Sequence, residues 1–301
     1  MTMSIRLNPN LLPDLLASIQ QSQQNEATAT AQIASGQSVN QLSDNPAAAA
    51  ALVTNHAQSA QDDQFLQNAS TLTARFQTAD SALSNVTQVL TRAVSIGTEG
   101  ANGTVSAADQ QAIAQEVQGL QSQLVNLANT SYQGTYLFAG TAVNTQPFTL
   151  NIATGAVTYN GNAGVSSTEL SEGNSINTNI PGSQLFQSAS GDAFGALQNL
   201  YSSLMVGNQA NIGAAVTQVQ NALNEVSTQR VFYGNAMNQV DLSESFLNQD
   251  KVNLSSQENA LVGADLAQTA TNLSQAELAN QATLSATAKI LSLPTLLDLL
   301  T

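Results

Sequence analysis

Val216, Val219, Leu223, Val226, Arg230, Tyr233, Met237 and Val240 recur at alternating steps of three and four residues. The same ruler continues through Leu247, Leu254 and Leu261, with polar Glu244, Lys251 and Glu258 at the intervening steps. That spacing draws one apolar stripe down a helix and predicts that the helix lies along another helix. At 1.5 Å per residue the stripe extends roughly 70 Å. A compact domain of this size does not hide such a helix, so the sequence predicts a rod. Rods built on paired helices hold things together rather than turn substrates over.

Two further seams supply partners. Phe65, Ala69, Leu72, Phe76, Ala79, Leu83, Val86, Leu90 and Ala93 form one, with Gly97, Gly100 and Gly103 expected to stop it. Ile113, Val117, Leu120, Leu124 and Leu127 form the other, with Ser106 and Asp109 placed as a capping pair at its start. Asn45 or Asp44 is expected to cap a helix whose first turn holds Pro46. The intramolecular seam is therefore assigned to Phe65, Leu72, Phe76, Leu83, Val86, Leu90, Val216, Val219, Leu223, Val226, Tyr233, Met237, Val240 and Leu247. Aromatics make up only 4% of the sequence, so alanine-rich helices with thin apolar seams replace a thick core.

The heptads vanish between about 135 and 187. There Thr135-Tyr136-Leu137-Phe138, Phe148-Thr149-Leu150-Asn151-Ile152 and Ala156-Val157-Thr158-Tyr159 read as short strands punctuated by Asn and Gly. The fold class expected is mainly α with a small β insertion. Both chain ends form an elongated antiparallel helical rod, and the β part is inserted far from the termini. Three parts follow: 1–45 with 256–301 as a terminal helical assembly domain, 46–134 with 190–255 as the helical rod, and 135–189 as the β insertion.

Charge and chemistry narrow the function. Six Lys+Arg face twenty Asp+Glu, a formal net charge of -14. Such a protein repels phosphate backbones and anionic headgroups, which argues against nucleic acid and lipid surfaces as partners. No apolar run approaches the length of a membrane span, and Pro13 and Asp14 interrupt the N-terminal leucines, so no secretory leader is expected. Cysteine is absent and His56 is the single histidine, which removes thiolate nucleophiles and strains any histidine-based relay or metal site. His56 is expected on a solvated surface. The carboxylate pairs Asp62-Asp63 and Asp241/Glu244 are likewise expected on solvated helix faces rather than in glycosidase roles. No enzyme, cofactor or metal is expected.

The terminal segments differ from the seams. Leu11, Leu12, Leu15, Leu16 and Ile19, with Leu284, Leu291, Leu296, Leu297 and Leu300, are apolar, sparsely charged and without a third partner in the chain. Burying each leucine is worth about 1.5–3 kcal/mol, so these residues are assigned to an interface between subunits.

The stretch Ile33-Ala34-Ser35-Gly36-Gln37-Ser38-Val39-Asn40, followed by Asp44-Asn45-Pro46-Ala47-Ala48-Ala49, resembles the N-terminal signature of bacterial flagellins and hook-associated proteins. Gly263-Ala264-Asp265-Leu266, Leu273-Ser274-Gln275, Gln281-Ala282 and Leu291-Ser292-Leu293 resemble their C-terminal pattern. Tyr136-Leu137-Phe138-Ala139-Gly140-Thr141, Thr145-Gln146-Pro147-Phe148, Tyr159-Asn160-Gly161-Asn162, Gly182, Leu185-Phe186 and the Leu296-Leu297-Asp298-Leu299-Leu300 ending are similar to the hook-associated protein 3 branch. Asn45 and Asn162 stand where that pattern often has Asp. The resemblance implies a structural junction adapter between hook and filament, extracellular, exported unfolded by the flagellar type III apparatus with an uncleaved N-terminal signal. It implies hook-associated protein 1, flagellin and a ring of copies of itself as partners, and a cytoplasmic export chaperone before secretion. A flagellin filament subunit and a type III-secreted translocator or effector are the alternatives.

Overall fold

The computed structural model describes residues 11–41 and 43–291, with side chains from 13 to 289. Among the described residues seven helices and eight short strands follow in the order α1 (Leu11–Ser35), α2 (Pro46–Gly100), α3 (Ala107–Ala128), β1 (Ser131–Tyr132), β2 (Thr135–Tyr136), β3 (Phe148–Leu150), β4 (Val157–Tyr159), β5 (Ser167–Ser171), β6 (Asn174–Asn177), α4 (Gly182–Phe186), β7 (Gln187–Ser188), β8 (Gly191–Asp192), α5 (Ala193–Val206), α6 (Gln209–Val262) and α7 (Leu266–Leu291). The protein is mainly helical with a small β content. Two compact units form, one from Met1–Ala60 with Lys251–Thr301 and the other from Gln61–Asp250. The division expected from sequence has boundaries at 45/46 and 255/256 and sets 135–189 apart as a third part.

Local chemistry explains the helix ends. Asn45 Oδ1 accepts from the Ala48 N–H, so Asn45 caps α2. Ser106 caps α3, its Oγ accepting from the Asp109 N–H at 3.2 Å and donating to the Asp109 carboxylate at 2.7 Å. Asp192 caps α5 through the Gly195 N–H, and Gly207 ends that helix in the left-handed conformation at φ 76°. Gly97 does not stop α2, contrary to the sequence expectation; the helix runs on to Gly100. A Cβ at Gly97 would stand 2.7 Å from Val216, so this glycine lets two helices approach rather than ending one.

The second unit is a bundle of α2, α3, α5 and α6 with hairpins packed on it. Asp80 meets Arg230 and Phe76 meets Tyr233, so α2 and α6 run antiparallel. The interior follows the seams with a small rotation. Phe65, Leu72, Phe76, Leu83, Val86, Leu90, Val216, Val219, Val226, Tyr233, Val240 and Leu247 are buried. Leu223 and Met237 are half-buried, and their neighbours Ala222 and Ala236 lie inside. On α3 the buried set is Gln110, Ala114, Val117, Gln121, Leu124, Val125 and Ala128. Within the first unit, burial near the end of α6 falls on Leu254 and Val262 while Leu261 is exposed. A strict seven-residue repeat drifts about 20° per heptad on an ordinary helix, which accounts for the one-residue displacement.

The β region is four separate antiparallel hairpins, β1–β2, β3–β4, β5–β6 and β7–β8. Two-stranded hairpins are marginal alone. These share the second unit's core through Leu137, Phe138, Phe148, Leu170 and Ile176. Strands are shorter than the sequence predicts. Leu137 and Phe138 leave β2 to turn inward, and Ile152 stands exposed in the β3–β4 turn.

Candidate assembly surfaces

In the first unit α1 and α7 pair. Ser22 Oγ donates to the Ala276 carbonyl at 3.1 Å, and Asn280 Nδ2 donates to Glu26 at 2.9 Å. Between them runs an open groove of about 670 Å³ lined by Gln21, Asn25, Gln32, Asn272 and Gln275 among others. Amide pairs at i and i+4, Gln21–Asn25 and Gln268–Asn272, each 3.0 Å, occupy these surfaces. Of the residues assigned to subunit contacts, Leu16 is 61% exposed and Leu284 51% exposed, while Leu15 and Ile19 are half-buried. The Leu11, Leu12 and Leu291 side chains, and Leu296, Leu297 and Leu300 altogether, lie outside the described residues. Leu278 on α7 is also exposed, and no sequence signal singles it out. It lies five residues after Leu273 and six before Leu284, a spacing that keeps no three- or four-residue step and so draws no helical stripe.

The N- and C-terminal signature motifs meet in one clasp. Gln37 pairs with Gly263 as an antiparallel bridge. The Ser38 N–H donates to the Val262 carbonyl at 2.6 Å, and the Ala264 N–H donates to the Gly36 carbonyl at 3.0 Å. Gly36 takes a φ of 69°, which a side chain disfavours, and so permits the turn from α1 into this bridge. Asp44 accepts from the Asn40 and Gln41 N–H groups, and Asp265 accepts from the Ala267 and Gln268 N–H groups. Nothing in the sequence of either motif names the other as its partner.

His56 and the acidic pairs are placed differently from one another. His56 is solvent-facing, as the sequence predicts, and its Nε2 lies 3.1 Å from Glu258 Oε1. Asp63 and Asp241 are exposed and Glu244 is half-buried. Asp62 corrects the expectation of a solvated pair. It is 1% exposed, while Asp63, about 100° further round the helix, faces water.

In the second unit the insertion motifs converge on one aromatic cluster. Phe148 lies 5.6 Å from Phe186, 5.0 Å from Phe194 and 5.0 Å from Tyr159, and Phe138 meets Phe186 edge-on at 5.4 Å. Asn129 holds the Phe148 backbone at both ends, accepting from its N–H and donating to its carbonyl at 2.8 Å each, as a neighbouring strand would. Gly182 lies so close that a Cβ there would stand 2.7 Å from the Phe138 carbonyl. The Tyr159 hydroxyl lies 2.8 Å from the Asn162 carbonyl and 3.1 Å from the Phe138 carbonyl, both within donating reach. Asn162 keeps the turn with its amide oxygen, which accepts from the Thr141 N–H and the Gly164 N–H. An aspartate there could do the same, which is why the Asn departure leaves the turn intact.

Arg230 makes a two-pronged pair with Asp80, at 2.6 and 3.1 Å, and this hydrogen bonding holds the guanidinium protonated above its ordinary range. Beside it Tyr233 is buried against Phe76 and Phe232. Burial pushes its phenol well above the usual tyrosine range, partly offset by a hydrogen bond from the Ile180 backbone. A raised folded-state pKa makes the contribution full below the unfolded value of about 10 and lost as pH climbs above it. Above pH about 10 the second unit is therefore expected to lose up to about 1.4 kcal/mol per pH unit from this residue. Tyr233→Phe keeps the ring and is expected to flatten that slope in alkaline thermal melts; an unchanged slope would contradict the assignment. Tyr159, also raised by burial, adds a weaker effect of the same sign.

Among the described residues no helix is long and apolar enough to cross a membrane. Comparison with known proteins matches residues 13–145 to the bacterial flagellin N-terminal helical region and 216–300 to the bacterial flagellin C-terminal helical region. The sequence is 36% identical over 118 residues to flagellar hook-associated protein 3 of Escherichia coli K12, covering 39% of this chain and 37% of that protein. It is 31% identical over 163 residues to flagellar hook-associated protein 3 of Salmonella typhimurium, covering 54% of this chain and 50% of that protein. The match thus spans half or less of the length of these curated relatives. The flagellar junction protein FlgL of Legionella pneumophila shares the fold, with a TM-score of 0.60 at 17% identity, over 71% of this chain and 100% of that one.

Proposed function

We infer function from one premise: the chain belongs to the bacterial flagellin and hook-associated protein family. It acts as a structural component of the bacterial flagellum, and within it as an adapter that joins the hook to the filament. Copies of the protein form a ring through their terminal helices, against hook-associated protein 1 on one side and flagellin on the other. It reaches that place by type III export, escorted beforehand by a cytoplasmic chaperone.

The observation that carries this reading is the solvent-exposed leucine pair on α1 and α7, Leu16 and Leu284, borne by the same two helices that line an open amide groove. Apolar side chains left in water on both walls of a helix pair favour a further helix as partner. The insertion motifs support the adapter over the filament subunit, since Phe138, Phe148, Tyr159, Gly182 and Phe186 form a single cluster in the second unit. The flagellin reading keeps one support, the match of both chain ends to flagellin helical regions.

Immunogold labelling of isolated flagella tests the assignment. Label confined to the point where hook meets filament is the expected result. Label along the filament, together with long self-propagating growth of the purified protein on seeds, would replace the adapter with the flagellin subunit.

A further inference from the structure

The loop between α2 and α3 carries chemistry that assembly does not use. Asn102, Gly103 and Thr104 are all exposed there. The Asn102 N–H donates to the Glu99 carbonyl at 3.0 Å, and the Val105 N–H donates to the Asn102 carbonyl at 3.1 Å, which closes a tight turn with Gly103 inside it. The side-chain oxygen of Asn102 accepts two hydrogen bonds from one residue, the Thr104 N–H at 3.2 Å and the Thr104 hydroxyl at 3.1 Å. Neither the Asn102 amide nitrogen nor the Gly103 N–H takes part in a hydrogen bond among the described residues.

We propose that Asn102 is a self-modifying site, at which the Gly103 backbone nitrogen displaces the side-chain amide. A solvent base takes the Gly103 proton, and the nitrogen attacks Asn102 Cγ. The new bond from nitrogen to Cγ closes a five-membered imide, the original Cγ–Nδ2 bond breaks, and ammonia leaves with a proton from water. One water then opens the ring at either carbonyl, giving aspartate or isoaspartate. Nothing is oxidised or reduced.

Each element of the turn has a part in this. Glycine offers a nucleophilic nitrogen with no side group to shield it. The two Thr104 donors polarise the amide carbonyl and stabilise the oxyanion formed on attack, the role preorganised donors play in acyl transfer. The leaving amide nitrogen is not tied down by the turn. The product has one more negative charge than the -14 of the unmodified protein, four residues ahead of the Ser106 cap of α3.

A second Asn-Gly pair, Asn160-Gly161, supplies an internal comparison. There the Asn160 amide nitrogen is tied to Thr149 Oγ1 at 2.8 Å and its backbone N–H to the Pro147 carbonyl at 2.7 Å. Gly161 is wedged against the Tyr159 ring and the Ala139 carbonyl. The folded protein therefore holds one Asn-Gly pair open and the other closed.

The test incubates the folded, full-length protein in mildly alkaline buffer and follows both sites by peptide mass mapping with enzymatic isoaspartate labelling. Asn102 is expected to convert well ahead of Asn160, and the two rates are expected to converge in urea. Thr104→Val retains the N–H and removes the hydroxyl. It is expected to leave the melting curve unchanged and to slow conversion at Asn102 by about three- to tenfold, the rate equivalent of one ordinary hydrogen bond. Equal rates at the two sites in the folded protein, or an unchanged rate in Thr104→Val, would overturn the proposal.

Discussion

Phe148→Ala is expected to destabilise the second unit by about 3–5 kcal/mol, the range for emptying a buried phenylalanine site. The ring is fully buried and touches Tyr159, Phe186 and Phe194, which themselves come from a strand, a short helix and α5. Its removal leaves a cavity at the one point where these elements converge. Collapse around it is restrained, because the Phe148 backbone is pinned by Asn129 and the Gly182 backbone already lies against the Phe138 carbonyl. A domain is stable by only about 5–15 kcal/mol, so the change removes a large share. The protein has no tryptophan, so denaturant titration followed by tyrosine fluorescence and far-ultraviolet circular dichroism is the practical readout. The midpoint should fall with the slope unchanged. Phe246→Ala, at a ring 63% exposed, is the matched control and should stay within about 0.5 kcal/mol. Equal losses in the two variants would mean that the aromatic cluster does not anchor the hairpins.

That contrast also shows where the sequence is legible. The seam residues are large and apolar at a regular period, and period alone predicts both the helices and the face each turns inward. Placement to within one residue is not available from period, since alanine is small enough to enter the tightest part of a helix pair and gives no strong signal. Ala222 and Ala236 lie inside while Leu223 and Met237 flank them. The β5–β6 hairpin escapes notice for a different reason. Its strands are almost wholly polar, and Leu170 and Ile176 are the two side chains it buries. It is held partly by tertiary bonds, such as Ser243 Oγ donating to the Leu170 carbonyl at 3.1 Å, which connect residues 73 apart. The clasp between Gly36 and Gly263 is illegible on the same ground, being made of backbone groups that every residue has. On the candidate surface, Leu16 could be read because Leu11, Leu12 and Leu15 cluster beside it, and Leu284 because it opens the leucine-rich run that extends to Leu300. Leu278 precedes that run, at five and six residues from Leu273 and Leu284, steps that mark no helical face.

The largest functional effect is expected from replacing Leu16 and Leu284 together with lysine. In the single protomer both leucines already face water, so the double variant should fold and melt like the parent, within the usual range of about 0.5 kcal/mol for surface substitutions. Assembly changes the accounting. Each leucine buried between subunits contributes about 1.5–3 kcal/mol, and a lysine forced into the same place adds the cost of desolvating an unpaired ammonium. In the proposed ring the loss recurs at every contact, so a modest change per protomer is multiplied over the whole assembly. The expected outcome is a protein that is made and exported at parental levels, is found free in the medium, and does not support swimming in a strain dependent on it. Soft-agar motility, with quantitative blotting of cell, medium and flagellar fractions, separates failure to assemble from failure to export. Leucine-to-methionine changes at both positions preserve apolar volume and should restore motility. Full motility with two lysines would place the joining surface elsewhere on the molecule, and the exposed Leu242 and Phe246 of α6 would then be the next apolar surface to charge.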